Sequence, residues 1–131
     1  MHHYSDSFTD FENHAVEVRW TKKVWNDHLN KHPEIQSPDT ASEMIREALS
    51  SPSLVMDGTR EGDGQIRTRC YYKEHKRSKT VLYFTKVVVG CNTKPFYVMT
   101  VFAQWLFWGV VVQEKKYKNF KEIWRNPKTY L

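Results

Sequence analysis

One change of hydrophobic period, close to Pro52, limits the folds that are open to this chain of 131 residues. Before that point apolar residues recur at helical spacing, and after it they alternate or run together as they do in strands. Helices followed by consecutive strands predict an α+β domain, in which the helices pack on one face of an antiparallel sheet. The length fits a single domain with its own core.

The N-terminal part of this domain contains signals for one strand and two helices. Residues 16–20 alternate between apolar and charged side chains and predict a short strand. Thr21 stands at the N-cap position of a helix over residues 22–32, which Pro33 ends. A second helix begins after Ser37 and ends before Pro52, with an apolar stripe at residues 44, 45, 48 and 49.

The remainder of the chain has the pattern of strands separated by polar turns. Strand-like runs at about 53–57, 66–73, 80–89 and 95–103, with a further one at 105–112, predict a four- or five-stranded antiparallel sheet. Helical spacing returns at residues 115–125 and predicts a C-terminal helix. Residues 1–14 are mostly polar and are predicted to form an N-terminal arm, which leaves residues 15–131 as the domain.

The charge of the chain is divided unequally between its halves. The formal net charge is +5, but residues 1–65 contain 6 basic and 12 acidic side chains, whereas residues 66–131 contain 14 and 3. The halves therefore have charges of −6 and +11. A basic half of this kind is typical of a protein that contacts phosphates, although a solvated basic face gives the same count.

Cysteine usage and the N-terminal residues indicate a cytoplasmic protein. Cys70 and Cys91 are too few for a disulfide framework and are expected to be reduced. The first residues do not have the basic segment and apolar run of a secretory signal. Pro95, Gln104 and Gly109 interrupt the uncharged stretch 95–113, which favours buried strands and predicts no membrane partner.

Two histidines lie four residues apart on the first predicted helix. His28 and His32 therefore project from one face, about one turn apart, and can act on one small target. Trp25 and Leu29 share this stripe, so for the pair considered alone a structural role at the edge of the core is slightly favoured. A zinc site needs three or four ligands, and neither cysteine is spaced to supply them, so we expect no metal.

A cationic face is predicted on the strand after residue 65. Alternation places Arg67, Arg69, Tyr71 and Lys73 on the same side of that strand. Paired guanidinium donors match the oxygen atoms of a phosphate, and like charges that repel along a strand are relieved by a bound polyanion. An ordinary solvated face is the alternative.

Several of these features occur in the order found in one group of nucleases. They are Trp20-Thr21, Trp25, the block from His28 to Glu34, the block from Met44 to Leu49, the strand with arginines, and Thr100-Val101-Phe102. Over about residues 16–103 the chain resembles the phage-associated nucleases of the barnase, EndoU, colicin and RelE superfamily. That resemblance implies helices packed on a four-stranded antiparallel sheet whose concave face cleaves RNA without a metal or a cofactor.

The resemblance also implies roles for individual residues. His28 and His32 correspond to the helix histidines, Arg67 or Arg69 to the strand cation, and Thr100 to the threonine of a closing Thr-x-Tyr motif. Phe102 stands here in place of that tyrosine, which removes a phenolic hydroxyl. Tyr71, Lys73 and Phe102 are then expected to contact RNA, and His32→Gln is expected to abolish cleavage.

The implied reaction is attack of an RNA 2′-hydroxyl on the adjacent phosphorus, which expels the 5′-oxygen and leaves a 2′,3′-cyclic phosphate. It needs a proton acceptor, a proton donor and cations beside the phosphate oxygens. RNA is the implied substrate, and an acidic inhibitor or antitoxin protein is a further partner if the enzyme is a toxin. Two alternatives stay open: a nucleic-acid-binding module that does not cleave, and a protein-interaction domain that uses the aromatic C-terminal segment.

Overall fold

A seven-stranded mixed sheet forms the centre of the structure. The computed structural model describes residues 2–58, 66–77, 81–107 and 121–129. The strands are β1 Tyr4–Thr9, β2 Ala15–Trp20, β3 Leu54–Asp57, β4 Thr68–Arg77, β5 Val81–Gly90, β6 Phe96–Phe107 and β7 Lys121–Arg125. Their order across the sheet is β1-β2-β6-β5-β4-β3-β7, and only the β2–β6 pair is parallel.

Two α-helices connect β2 to β3, and both begin at the predicted caps. In α1, Lys22–Lys31, the Thr21 side chain accepts a hydrogen bond from the backbone of Val24. In α2, Pro38–Ser50, the Ser37 hydroxyl accepts one from the backbone of Thr40. A single 3₁₀ turn, Pro33–Ile35, joins them. No helix in the described ranges is long and apolar enough to cross a membrane.

The predicted four- or five-stranded antiparallel sheet with a C-terminal helix is wrong. The sheet has seven strands and includes a parallel pair, in which Val16 lies opposite Phe96. Residues 121–125 form β7, an antiparallel strand beside β3, and residues 108–120 lie outside the described residues. The spacing of aromatic residues near the C terminus fits a helix, but pairing with β3 decides the conformation.

Residues predicted to form an N-terminal arm contribute the edge strand β1. Tyr4 lies opposite Trp20 and Phe8 opposite Val16, and both β1 side chains are buried. Buried aromatic residues four positions apart are compatible with one face of a strand as well as one face of a helix. Two serines and an aspartate between them conceal the alternation in the sequence.

The two faces of the sheet support separate groups of buried residues. The face that includes Val87 and Val101 packs against the apolar stripe of α2, which contains Ile45 and Leu49. The opposite face holds a second buried cluster with Tyr72 and Phe84. Because cross-strand partners share a face, the register of β4, β5 and β6 assigns each predicted site residue to one side of the sheet.

Candidate functional site

The two predicted histidines lie along the edge of β6, beyond its short pairing with β2. The His28 Nε2 atom is 2.6 Å from the carbonyl oxygen of Val101, to which it donates as the Nε2–H tautomer. The Trp20 indole nitrogen donates to the Val98 carbonyl over 3.2 Å, on the same strand. Burial, partly offset by the bond to Val101, lowers the pKa of His28 and favours its neutral form. His28 therefore has a hydrogen-bonding role at this strand edge.

His32 lies next to His28 but contacts side chains instead of the strand backbone. Its ring stacks on Phe102 with centroids 5.0 Å apart, and its Nδ1 atom is 3.7 Å from Glu34 Oε2. Glu34 in turn accepts a hydrogen bond from the backbone amide of Ala103 over 3.1 Å. Helix α1 and the following turn thus supply partners for backbone groups of β6 that have no strand beside them.

Thr100 lies on the other face of the sheet from the cationic side chains. A bulge in β6 pairs Val88 with Thr100 but Val89 with Val98, and Val88 pairs in turn with Cys70. Tyr71 is the next residue after Cys70 on β4, so its side chain lies on the opposite face, together with that of its partner Val87. The sheet therefore separates Thr100 from Arg69 and Tyr71.

Arg67, Arg69 and Tyr71 do lie together, near the start of β4. Tyr71 is fully buried, Arg69 is partly buried and Arg67 is exposed. Lys73, further along the strand, donates to the Ser51 carbonyl over 2.8 Å. Arg67 and Arg69 are thus the two predicted cations that lie at the same end of the sheet.

The turn between β1 and β2 brings an acidic residue and a histidine to these arginines. Asp10 Oδ1 accepts hydrogen bonds from the backbone amides of Glu12 (2.9 Å) and His14 (2.8 Å). Asn13 has φ 67°, a left-handed conformation that asparagine tolerates better than most residues. This local geometry folds the chain back, so that His14 Nδ1 lies 2.9 Å from Asp10 Oδ2.

Asp10 is the buried centre of a cluster that it forms with Glu12, His14, Arg69 and Tyr71, and its side chain has no solvent exposure. Its Oδ2 atom also accepts a hydrogen bond from the Tyr71 hydroxyl over 2.7 Å. Burial raises the pKa of the Asp10 carboxyl, but hydrogen bonds from Tyr71, His14 and the turn amides outweigh burial and leave it below its ordinary value. Burial, followed by the contact with Asp10, raises the pKa of Tyr71, which keeps the phenol protonated as a donor.

Arg69 connects the cluster to solvent. Its NH1 atom lies 2.9 Å from Glu12 Oε1 and 4.0 Å from Asp10 Oδ2. Burial alone lowers the pKa of Arg69, but hydrogen bonds with Glu12 and Tyr71 outweigh burial and raise it, so the guanidinium stays charged. A half-exposed carboxylate, a half-exposed imidazole and a charged guanidinium therefore meet at one surface.

A cavity of about 420 Å³ opens beside Arg69. Its lining includes Arg67, Lys94, Asp57 and Phe96. Phe96 joins the cavity to the cluster, because the His14 ring packs on it with centroids 4.9 Å apart and the Arg69 guanidinium lies 6.0 Å from its ring centroid. The volume lies within the range of small-ligand sites.

The donor atoms of this cluster fit a guanidinium better than a metal ion. Asp10, Glu12 and His14 each offer a ligand atom within 4.8 Å of the others. However, the Asp10 oxygens already accept four hydrogen bonds. Arg69 supplies the positive charge between Glu12 and Asp10. A metal ion would have to displace these partners.

Sequence reasoning missed Asp10, Glu12 and His14, because residues 1–14 were assigned to an arm. One signal is present in the sequence: Asp10 precedes Asn13 and His14 by three and four residues, which is typical of a turn in which the Asp side chain caps backbone amides. The contact with Tyr71, 61 residues away, has no such local signal.

Comparison with protein-family models, with curated proteins and with solved structures gave no match.

Proposed function

We propose that this chain is a metal-independent endoribonuclease whose proton-transfer groups are Glu12 and His14. One observation supports this assignment above the others. A carboxylate oxygen of Glu12 and a ring nitrogen of His14 lie within 4.8 Å of each other, and the Arg69 guanidinium contacts Glu12. A proton acceptor, a proton donor and a cation are the three groups that cleavage through a 2′-hydroxyl requires.

The contacts favour a division of labour between the two proton carriers. Asp10 binds the Nδ1 side of His14, which orients the ring and leaves Nε2 to give its proton to the departing 5′-oxygen. Glu12, as a carboxylate, accepts the proton of the attacking 2′-hydroxyl. Arg69 contacts the phosphate oxygens as the bond from the 2′-oxygen to phosphorus forms and the bond to the 5′-oxygen breaks. The products are a 2′,3′-cyclic phosphate and a free 5′-hydroxyl.

Further support comes from the charge distribution and from the resemblance noted in the sequence. Residues 66–131, with a charge of +11, include both arginines of the cluster. Cys70 and Cys91 are free thiols, as expected for a cytoplasmic protein. We therefore place the enzyme in the cytoplasm, with RNA as substrate and an acidic inhibitor or antitoxin protein as a protein partner.

The proposal is tested by incubating the protein with mixed cellular RNA in the presence of EDTA. We expect cleavage to persist and to leave cyclic-phosphate ends, and Glu12→Gln to slow it about 100-fold or more. The matched control is Glu43→Gln, which removes the same charge from an exposed position on α2. Equal rates for the two variants, or loss of cleavage on chelation that zinc restores, would contradict the proposal.

A non-catalytic nucleic-acid-binding module is the second candidate, and one contact favours it. The Glu12 carboxylate is already paired with Arg69, so it has to leave this ion pair before it accepts a proton, whereas phosphate binding by the other cations of the basic half needs no proton acceptor. If retention of RNA depends on salt but no cleavage occurs, this second function is correct. A role of the aromatic C-terminal segment in protein binding concerns mainly residues 108–120, outside the described residues.

A further inference from the structure

We propose that Arg67 and Lys94 form a second phosphate subsite beside the Glu12–His14 pair. This inference rests on the proposed function and defines its substrate class. The preferred substrate is an RNA strand with at least two consecutive phosphate groups, of which one is cleaved and its neighbour is held by Arg67 and Lys94. A dinucleotide with a single phosphodiester is then a poor substrate.

The backbone fixes the two cations at the same cavity. The amide of Arg67 donates to Asn92 Oδ1 over 2.7 Å, and its carbonyl accepts from the amide of Cys91 over 2.8 Å. These bonds attach the start of β4 to the turn between β5 and β6, which contains Lys94. Both side chains line the cavity beside Arg69.

The charges around this cavity favour an anion. Among the described residues, three cations, Arg67, Arg69 and Lys94, line it together with one carboxylate, Asp57. Arg69 is engaged by Glu12, and Asp57 lies opposite Arg69 in the β3–β4 register. Within the described part of the chain, the side chains of Arg67 and Lys94 have no ion pair or hydrogen bond with a protein group. They are therefore available to a ligand, and their mutual repulsion decreases when an anion binds.

The spacing of the two arginines fits consecutive phosphates. Arg67 and Arg69 are two residues apart, so their Cα atoms are separated by at most about 7 Å. When the scissile phosphate of an RNA strand contacts Arg69, the next phosphate of that RNA therefore lies within reach of the Arg67 side chain. The cavity of about 420 Å³ beside both arginines is within the volume range of small-ligand sites. The Phe96 ring forms part of its wall.

The test uses dinucleotides that differ only in terminal phosphates. Three forms are compared: unphosphorylated, 5′-phosphorylated and 3′-phosphorylated. We expect one of the two phosphates to raise kcat/KM about tenfold, as one additional charge-assisted contact does. The 2′-deoxy forms, which cannot be cleaved, should show the same preference in affinity. The salt dependence of log Kd should become steeper by about 0.7 for the preferred phosphate.

The double variant Arg67→Ala, Lys94→Ala should remove this gain, so that the phosphorylated and unphosphorylated dinucleotides have equal kcat/KM and equal affinity. The matched control is Lys22→Ala, Lys31→Ala, which removes two exposed cations from α1. Binding by the control should keep the preference, because α1 contributes no residue to the cavity lining.

The outcomes separate this inference from the proposed function. If RNA is cleaved but neither terminal phosphate changes kcat/KM or affinity, the second subsite does not exist and the nuclease assignment stands. The second subsite is likewise excluded if the double variant keeps the full increase in kcat/KM that a terminal phosphate gives. If no substrate is cleaved, the nuclease assignment fails, and the affinities of the deoxy forms still decide whether a second phosphate is bound.

Discussion

Two regions of this protein combine histidine with glutamate, and they differ in which groups the histidine rings contact. At the edge of β6, His28 contacts a backbone carbonyl and His32 stacks on Phe102. In the turn between β1 and β2, His14 is held by Asp10 through one ring nitrogen beside Glu12 and Arg69. A proton carrier needs one side fixed and one side open, and in the second arrangement the Arg69 guanidinium lies beside the carboxylate as a charged partner for a phosphate.

The comparison shows that spacing on a helix is insufficient evidence for a catalytic pair. His28 and His32 share a face of α1, as predicted, with ring centroids 4.8 Å apart. That face of α1 lies along the edge of β6, whose backbone groups need hydrogen-bond partners. The polar atoms of the face can therefore serve the structure of the strand edge, as His28 does at Val101. The roles of His28 and His32 in cleavage stay predictions, and the contacts favour the cluster in the turn.

The largest expected effect concerns Asp10, which distinguishes the turn from the strand edge by its complete burial. Asp10→Ala leaves the Tyr71 hydroxyl and two turn amides without their acceptor. We expect the free energy of unfolding to fall by about 3 kcal/mol. Urea denaturation measures the change, and Asp6→Ala is a control at a more exposed aspartate. Equal losses in the two variants would show that the cluster does not stabilise the turn.

A second test compares the histidines directly by their effect on cleavage. His14→Gln should reduce kcat/KM about 100-fold or more, because glutamine hydrogen-bonds but does not transfer a proton near neutral pH. His32→Gln should stay within a few fold of the wild type, contrary to the expectation from the resemblance. Melting temperatures of both variants provide the control for folding. The opposite ranking of the two variants would return the proton-transfer site to α1.

A smaller effect on stability is expected at the strand edge. His28→Ala removes the donor to the Val101 carbonyl and should lower the free energy of unfolding by about 1–2 kcal/mol. His32→Ala is expected to cost less, because the partly exposed His32 ring contacts the side chains of Glu34 and Phe102 and not the strand backbone. Chemical denaturation of the two variants ranks them. If both cost the same, the bond to Val101 contributes nothing specific.

The smallest expected effect is a pH dependence that originates from His28. Burial lowers its pKa in the folded protein, so the unfolded chain binds more protons as pH falls through the ordinary value of 6.5. Stability from this residue is therefore complete above that pH and decreases as pH falls toward the folded-state pKa. Unfolding at pH 7.5 and 5.5 should show a smaller loss for His28→Gln than for the wild type. A loss of equal size would assign the pH dependence to other groups.

Local patterns were sufficient to predict much of the secondary structure. Thr21 and Ser37 cap helices at the expected positions, because a side-chain oxygen at an N-cap acts within one turn of its own residue. Strands β3 to β5 lie where hydrophobic runs indicated them, whereas β6 continues from the predicted run 95–103 into the run predicted as a separate strand at 105–112, whose residues 108–112 lie outside the described ones. The edge strands β1 and β7 were missed, since short polar strands depend on a neighbouring strand more than on their own residues.

By itself, the sequence determined the helices, the central strands and the cationic alternation on β4, because each depends on spacing along a few residues. Tertiary structure decided the mixed topology, the bulge that separates Thr100 from Arg69, and the contact between Tyr71 and Asp10. Register across strands assigns a side chain to one face or the other, and a shift of one residue reverses that assignment. The composition of the site is therefore a property of strand pairing between segments far apart in the chain.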